Sequence, residues 1–173
     1  MLERLWAGWR SSYVQSVSDA DHDPDASGSV FTRILASDLP DTETNVVRRG
    51  VSCFAILNAY PYGTGHVLVL PYREVAELDA LTASETAELW TMVTDAVRAI
   101  RTAYAPDGLN VGLNLGRPAG GTVSEHLHVH VVPRWTGDSN FMTAIANART
   151  LPEPLVDTAA RIRDAWPVDL PAS

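Results

Sequence analysis

The chain contains no lysine, and all 13 of its basic residues are arginine. A Walker-type phosphate loop, a Schiff base and a lysine–nucleotidyl intermediate each need a lysine amine, so these three chemistries are excluded. An anionic substrate is still allowed, because backbone amides and a few arginines can form a local positive site. The net charge of −8 provides no basic surface for nucleic acid.

Cysteine and long apolar runs are also scarce. The single cysteine, Cys53, excludes an internal disulfide and any zinc site built from several cysteines. No run of about 18 apolar residues is present, and the first residues lack the pattern of a secretory signal. The sequence therefore predicts a cytoplasmic protein with neither a membrane nor a nucleic acid as partner.

Length and local composition indicate the domain organisation. A chain of 173 residues suits one domain. Residues 17–29 are polar and acidic and contain glycine and proline, which is typical of a mobile linker. We expect residues 1–28 to form an N-terminal arm with a mobile linker, and residues 29–173 to form a single domain.

The order of the predicted elements indicates an α+β fold. Strands are predicted over 46–47, 53–57, 66–70, 109–114 and 126–132. Thr82 and Glu85 form a capping box that opens a long helix ending near Tyr104. Its predicted buried stripe consists of Leu89, Val93, Val97 and Ile100, with Trp90 and Ala96 beside it. With a closing helix over 152–166, we expect an antiparallel sheet of about five strands with one long and one C-terminal helix.

The most informative segment is His126-Leu127-His128-Val129-His130-Val131-Val132. Alternation with a period of two is typical of a half-buried strand, which would place the three imidazoles on one face, roughly 6.6 Å apart. The apolar residues between them would face the core. Three groups that exchange protons near pH 7 would then line one surface.

Three interpretations of these histidines compete. They can be polar residues of an ordinary structural strand. They can bind zinc, although three ligands in a line along one strand suit a tetrahedral site poorly. They can perform nucleophilic and acid–base chemistry on a phosphate ester. The glycine-rich segment Asn114–Val123 favours the last interpretation, since glycines let backbone N–H groups approach an anion closely.

The heptad matches the histidine-triad motif, His-φ-His-φ-His-φ-φ, where φ is apolar. Over nearly its whole length the sequence resembles the histidine-triad (HIT) superfamily, and in particular bacterial diadenosine tetraphosphate phosphorylases of that class. The segments that carry the resemblance are 4–6, 54–62, 65–69, 112–123 and 125–141.

The resemblance implies cleavage of a dinucleoside polyphosphate, such as diadenosine tetraphosphate, through a nucleotidyl-histidine intermediate. Phosphorolysis to ADP and ATP is the expected reaction. One alternative is a hydrolase that releases AMP from dinucleoside polyphosphates or nucleoside phosphoramidates; another is a nucleotide-binding or scaffold protein with weak catalysis. The resemblance also implies a homodimer or a dimer of dimers.

The resemblance assigns roles to individual residues. His128 is expected to be the nucleophile, His130 to contact the phosphate and assist the leaving group, and His126 to orient His128. The remaining residues expected to bind nucleotide or phosphate are Asn58, Phe54, Ile56, Leu57, His66, Asn114, Gly120, Gly121, Thr122, Val123 and Trp135. Two of them have an alternative: His66 can be a buried, hydrogen-bonded histidine near the site, and Trp135 can pack in the core or at a subunit interface.

Two departures from the family pattern lead to further expectations. Many related bacterial sequences bind a structural zinc through Cys-x-x-Cys, a histidine and the first triad histidine. This chain has Ser29, Thr32 and Glu74 at three of those four positions, so we expect no structural zinc. No tightly bound cofactor is expected, although Mg²⁺ can accompany the substrate. Gly121 replaces a glutamine of many hydrolase branches, which favours a phosphorylase.

Overall fold

A five-stranded antiparallel sheet, ordered β1-β2-β3-β5-β4, is the centre of the structure. The computed structural model describes residues 28–119, 123–138 and 153–167. The strands are β1 (Val46–Arg49), β2 (Cys53–Leu57), β3 (Val67–Pro71), β4 (Gly108–Leu113) and β5 (Val129–Arg134). The helices are α1 (Val30–Ala36), α2 (Asp41–Thr44), α3 (Ala83–Tyr104) and α4 (Leu155–Asp164), with short 3₁₀ turns at Leu78–Ala80 and Arg117–Ala119. This arrangement confirms the predicted α+β fold.

The two faces of the sheet bury different sets of side chains, because successive residues of a strand point to opposite sides. One face packs against α3 and α4 and includes Cys53, Ala55, Leu57, Val67, Val69, Val129 and Val131. The other face forms a smaller cluster with Phe31 of α1 and includes Val46, Phe54, Ile56, Leu68 and Leu70. The catalytic candidates lie beside this second cluster.

Helix α3 begins as the sequence predicts. The hydroxyl of Thr82 accepts the N–H of Glu85 at 3.2 Å, and the Glu85 carboxylate accepts the N–H of Thr82 at 2.8 Å. Most of the predicted stripe is buried, but Trp90 remains 42% exposed and Val97 is only partly buried. The inward surface is instead completed by Met92 and Ala99. None of the helices in the described ranges is both long and apolar enough to cross a bilayer.

Helix α1 is an element that the sequence reasoning missed. Ser29 is its N-cap, with the hydroxyl accepting the N–H of Thr32 at 3.2 Å. The apolar residues Val30, Phe31, Ile34 and Leu35 then recur at helical spacing, which is the signal that could have revealed it. The predicted arm and most of the predicted linker lie outside the described residues.

The histidine strand also begins later than predicted. β5 starts at Val129, so only His130 of the three histidines belongs to it. The backbone of the preceding residues bonds elsewhere: the N–H of Leu127 donates to the Val75 carbonyl at 2.6 Å. This contact draws the chain away from β3 and ends the ladder at the Val69–Val129 pair.

Candidate active site

The three histidines lie at the start of β5, on the face of the sheet that carries Phe31 and Leu68. His126 is fully buried, His128 is 8% exposed and His130 is partly exposed. The rings of His128 and His130 are 5.0 Å apart between centroids. The three imidazoles therefore share one face, as expected, although residues 126–128 precede the strand and the 5.0 Å between the rings of His128 and His130 is shorter than the expected spacing. Leu127, Val129 and Val131 do face the core, as predicted.

His126 is held through both ring nitrogens. Its Nδ1 lies 2.7 Å from the Ser29 hydroxyl, and its Nε2 lies 2.9 Å from the Pro71 carbonyl. A carbonyl can only accept, so Nε2 carries the proton and Nδ1 accepts from Ser29. Burial lowers the pKa of His126, although the Pro71 carbonyl opposes this. A neutral ring bonded at both ends cannot also attack a substrate, and it acts as a fixed part of the frame.

His128 has the opposite arrangement of its ring. Its Nδ1 lies 2.8 Å from the backbone carbonyl of His126, so Nδ1 must donate. In the neutral imidazole this leaves Nε2 with an unprotonated lone pair. Burial lowers the pKa of His128 and thus favours the neutral form, against the opposing effect of the His126 carbonyl. The geometry gives this residue the properties of a nucleophile at neutral pH.

His130 and His66 form a proton-ordered pair. The N–H of Tyr62 donates to His66 Nδ1 at 3.1 Å, so the proton of neutral His66 lies on Nε2. That Nε2 donates to His130 Nδ1 at 2.9 Å, and the proton of neutral His130 therefore lies on its own Nε2. Burial, together with the nearby His128, lowers the pKa of His130 to about 4.

The Nε2 atom of His130 is the least satisfied polar atom of this group. It is buried and has no hydrogen-bond partner within the described part of the chain. A buried N–H donor without an acceptor is costly, and such atoms commonly mark a place where a ligand binds. A phosphate oxygen is the kind of acceptor that would satisfy this donor.

Aromatic rings border the histidines on two sides. Phe31 of α1 lies with its ring centroid 5.6 Å from that of His126 and 5.4 Å from that of His128. Tyr62 stacks on His130 at 5.8 Å with an interplanar angle of 12°. These rings pack against one side of the imidazoles.

The sheet beside His130 is open on the β4 side. Gly112 is the register partner of His130, and register partners on adjacent strands share a face. A Cβ added at Gly112 would meet no atom of the described residues within 4 Å. Glycine within a strand often marks the close approach of a ligand, and here it leaves space on the strand position opposite His130. The sequence reasoning had not singled out this residue.

The predicted base slot is only partly assembled. Phe54 and Ile56 lie on the face covered by α1, and Phe54 stacks on Tyr72 with centroids 5.2 Å apart. Leu57 points to the opposite face and packs in the core under α3. Its assignment to the same slot is wrong, because neighbouring residues of a strand face opposite sides.

The other predicted binding residues occupy varied positions. Asn58 supports His66: its amide nitrogen lies 3.3 Å from His66 Nδ1, while its amide oxygen accepts the N–H of Tyr60 at 2.9 Å. Asn114 directly follows β4, and Val123 packs against the cluster around Phe31. Gly120, Gly121 and Thr122 lie outside the described residues.

Trp135 is not brought to the histidines within one chain. It follows the far end of β5, roughly 16 Å from His130 by strand rise, and its ring lies 6.5 Å from that of Tyr104. Its expected contact with nucleotide stays a prediction, and the packing against Tyr104 agrees with the alternative role in core or interface packing. The direction of β5 carries this residue away from the site.

Comparisons with known proteins show the family of the chain. The HIT domain pattern matches residues 40–137. The chain belongs to the histidine-triad family. This HIT protein is 46% identical to the AP-4-A phosphorylase of Mycobacterium tuberculosis over 95% of its own length and 85% of the relative.

Solved HIT structures have the same fold. A HIT-like protein from Bartonella henselae, with 25% identity, superposes with a TM-score of 0.67 over 82% of this chain and 98% of that one. A zinc-bound histidine triad family protein from Mycobacterium smegmatis, with 28% identity, gives 0.65 over 80% and 92%. The fold and the family of this enzyme are thus established by sequence and by structure.

Proposed function

We propose that this enzyme cleaves diadenosine tetraphosphate by phosphorolysis, in two displacements at phosphorus. In the first, His128 Nε2 attacks the phosphorus next to one adenosine. The new N–P bond replaces the P–O bond to the remaining phosphates, which leave as ATP. In the second, an oxygen of inorganic phosphate attacks the same phosphorus, the N–P bond breaks, and ADP is released with His128 regenerated.

The observation that carries this proposal is the hydrogen bond from His128 Nδ1 to the His126 carbonyl. It directs the lone pair of Nε2 outward in the resting enzyme. It also stabilises the positive charge that develops on the ring as the N–P bond forms, since a carbonyl oxygen is the acceptor of a charged donor. A single contact thus serves both the attack and the intermediate.

His130 is placed to stabilise an oxygen of the reacting phosphoryl group. Its Nε2–H donor is buried and 5.0 Å separates its ring from the ring of His128, so one phosphoryl group can contact both residues. A donor fixed before the reaction, in a site that excludes water, stabilises the negative charge of the transition state efficiently. The depressed pKa keeps His130 neutral near pH 7, so the donated hydrogen bond does not require a second positive charge.

Phosphate is proposed as the acceptor because of the relative in M. tuberculosis, which is an AP-4-A phosphorylase at 46% identity. The Gly121 position, where many hydrolases carry glutamine, favours the same acceptor. The hydrolase and the weakly catalytic binding protein are the other outcomes of the test below.

The test is incubation of the purified enzyme with diadenosine tetraphosphate, with and without inorganic phosphate, followed by identification of the nucleotides. We expect ADP and ATP in equal amounts, and ADP only when phosphate is supplied. H128A should lose at least about 10³-fold in kcat while remaining folded by circular dichroism. AMP formed without phosphate would replace the phosphorylase by a hydrolase, and turnover by H128A would refute the nucleophile.

We also propose a homodimer that forms through the free edge of β4. Among the described strands β4 ends the sheet, and its residues Asn110, Val111 and Gly112 are exposed. The opposite edge, at β1, is contacted by α4, where Arg163 donates to the Val46 carbonyl at 2.8 Å. Unpaired edges favour strand pairing, so light scattering should give twice the chain mass. The cytoplasm is the proposed location, and any Mg²⁺ would arrive with the nucleotide.

A further inference from the structure

Four side chains converge at the start of α1, on the far side of His126 from the proposed phosphate site. The Ser29 hydroxyl lies 2.7 Å from His126 Nδ1 and 3.2 Å from the Thr32 hydroxyl. Oxygen Oε2 of Glu74 accepts both the N–H of Ser29 and the hydroxyl of Thr32, each at 2.7 Å. We call these four residues the Ser29 cluster.

The cluster occupies the positions at which related bacterial sequences bind structural zinc, but its donor set does not fit that ion. Zinc prefers thiolate, imidazole and carboxylate ligands. Only Glu74 and His126 belong to these types, and the two hydroxyls are neutral. Each oxygen contact is at hydrogen-bond distance, and each available proton has an acceptor. Among the described residues no group of three or more histidine, cysteine or acidic side chains could hold a metal.

We propose that the Ser29 cluster is a metal-free positioning device for the nucleophile. Ser29 and Glu74 are positioning residues, because they act on His128 only through His126. The inference rests on the role given to His128 above. It adds that hydrogen bonds between α1, β3 and the triad orient His128 without a metal ion.

The path from the cluster to the nucleophile is continuous. Glu74 fixes the backbone of Ser29, and the Ser29 hydroxyl fixes the His126 ring from one side, while the Pro71 carbonyl fixes it from the other. The carbonyl of the same His126 accepts the proton of His128 Nδ1. Because His126 is fully buried, its ring and its backbone move together. Loss of the Ser29 hydroxyl therefore loosens the acceptor that sets the tautomer of His128.

The test begins with Ser29→Ala, which removes the donor to His126. We expect kcat to fall by about 10-fold or more with KM within about twofold, because small misplacements of a reacting group are costly while the phosphate contacts remain. The ¹⁵N chemical shifts of His128 should change from a single Nδ1–H tautomer to a mixture. S29T, which restores a hydroxyl, should recover most of the rate. S29C provides a near-isosteric variant with a weak donor if S29A does not fold.

The matched control is Ser37→Ala on the same helix. The Ser37 hydroxyl donates to the Ile34 carbonyl at 2.7 Å and does not contact the triad. S37A removes the same group from α1, so its kcat should equal that of the wild type. The proposal would be overturned if S29A, or S29C in its place, had the same kcat as S37A and if both variants kept a single His128 tautomer.

Metal analysis of protein purified with added zinc provides a second readout that needs no activity. We expect well below one zinc per chain, and one tightly bound zinc per chain would overturn the inference. The tautomer of His128 is measured in the enzyme without substrate, so this readout does not depend on turnover. A wild-type protein that lacks turnover would refute the proposed function, whereas an unchanged tautomer in S29A would refute only the role of the cluster.

Discussion

Acid should destabilise this protein through His130, and the variant His130→Asn isolates that effect. Burial beside His128 lowers the pKa of His130 in the folded protein to about 4, whereas an unfolded histidine titrates near 6.5. The asparagine does not titrate in this range. Its amide oxygen can still accept the proton of His66 Nε2, so the hydrogen bond inside the site is retained.

The sign and size follow from proton linkage. The pKa of His130 is lower in the folded protein than in the unfolded chain. The free energy of unfolding is therefore highest above pH 6.5 and decreases as the pH falls toward 4. Between about pH 7.5 and about pH 5 the unfolded chain takes up the proton and the folded chain does not, which costs about 2 kcal/mol of unfolding free energy. His126 and His128, whose pKa values are also lowered by burial, add to the loss in both proteins.

The assay is urea unfolding of wild type and H130N at these two pH values. Any change in packing shifts the variant equally at both, so only the difference between the two pH values measures the titration. We expect H130N to lose about 2 kcal/mol less than the wild type on acidification. If the two proteins lost the same free energy, His130 would not be the depressed, neutral group described above.

Three further predictions concern catalysis. H66L removes the donor that places the His130 proton on Nε2, so kcat should fall about 10-fold; an unchanged kcat in steady-state assays would show that His66 does not set this tautomer. G112V places a side chain in the open space opposite His130 and should raise KM at least about 10-fold with little change in melting temperature. A normal KM would place the substrate elsewhere. The acid limb of the wild-type kcat/KM profile should lie below pH 6.5, since the pKa of neutral His128 is lowered by burial; a limb above that value would contradict a buried nucleophile.

Local patterns made much of the site predictable. The sequence predicted strands at His66, from the apolar residues after Gly65, and at His126–Val132, from their alternation. In the structure His66, which directly precedes β3, is hydrogen-bonded to His130 of β5. Two features depended on long-range contacts instead. The position of His126 depends on Ser29, which is 97 residues away in the chain. Alternation along β2 alone places Leu57 opposite Phe54 and Ile56, but which face is covered by α1 and which by α3 depends on how the helices pack on the sheet.

The sequence by itself determined most of the elements, though not α1 or the start of β5, and which residue types can perform the chemistry. Spacing and capping depend on neighbours along the chain, so the long helix and the family motif were readable directly. The tertiary structure decided which nitrogen of each imidazole carries the proton. That choice depends on the partner of the other nitrogen: the His126 carbonyl for His128, the Tyr62 amide for His66, and His66 for His130. Such partners are set by packing and register, and therefore the folded chain supplies the physical reason for a role that the sequence assigned to His128 by resemblance alone.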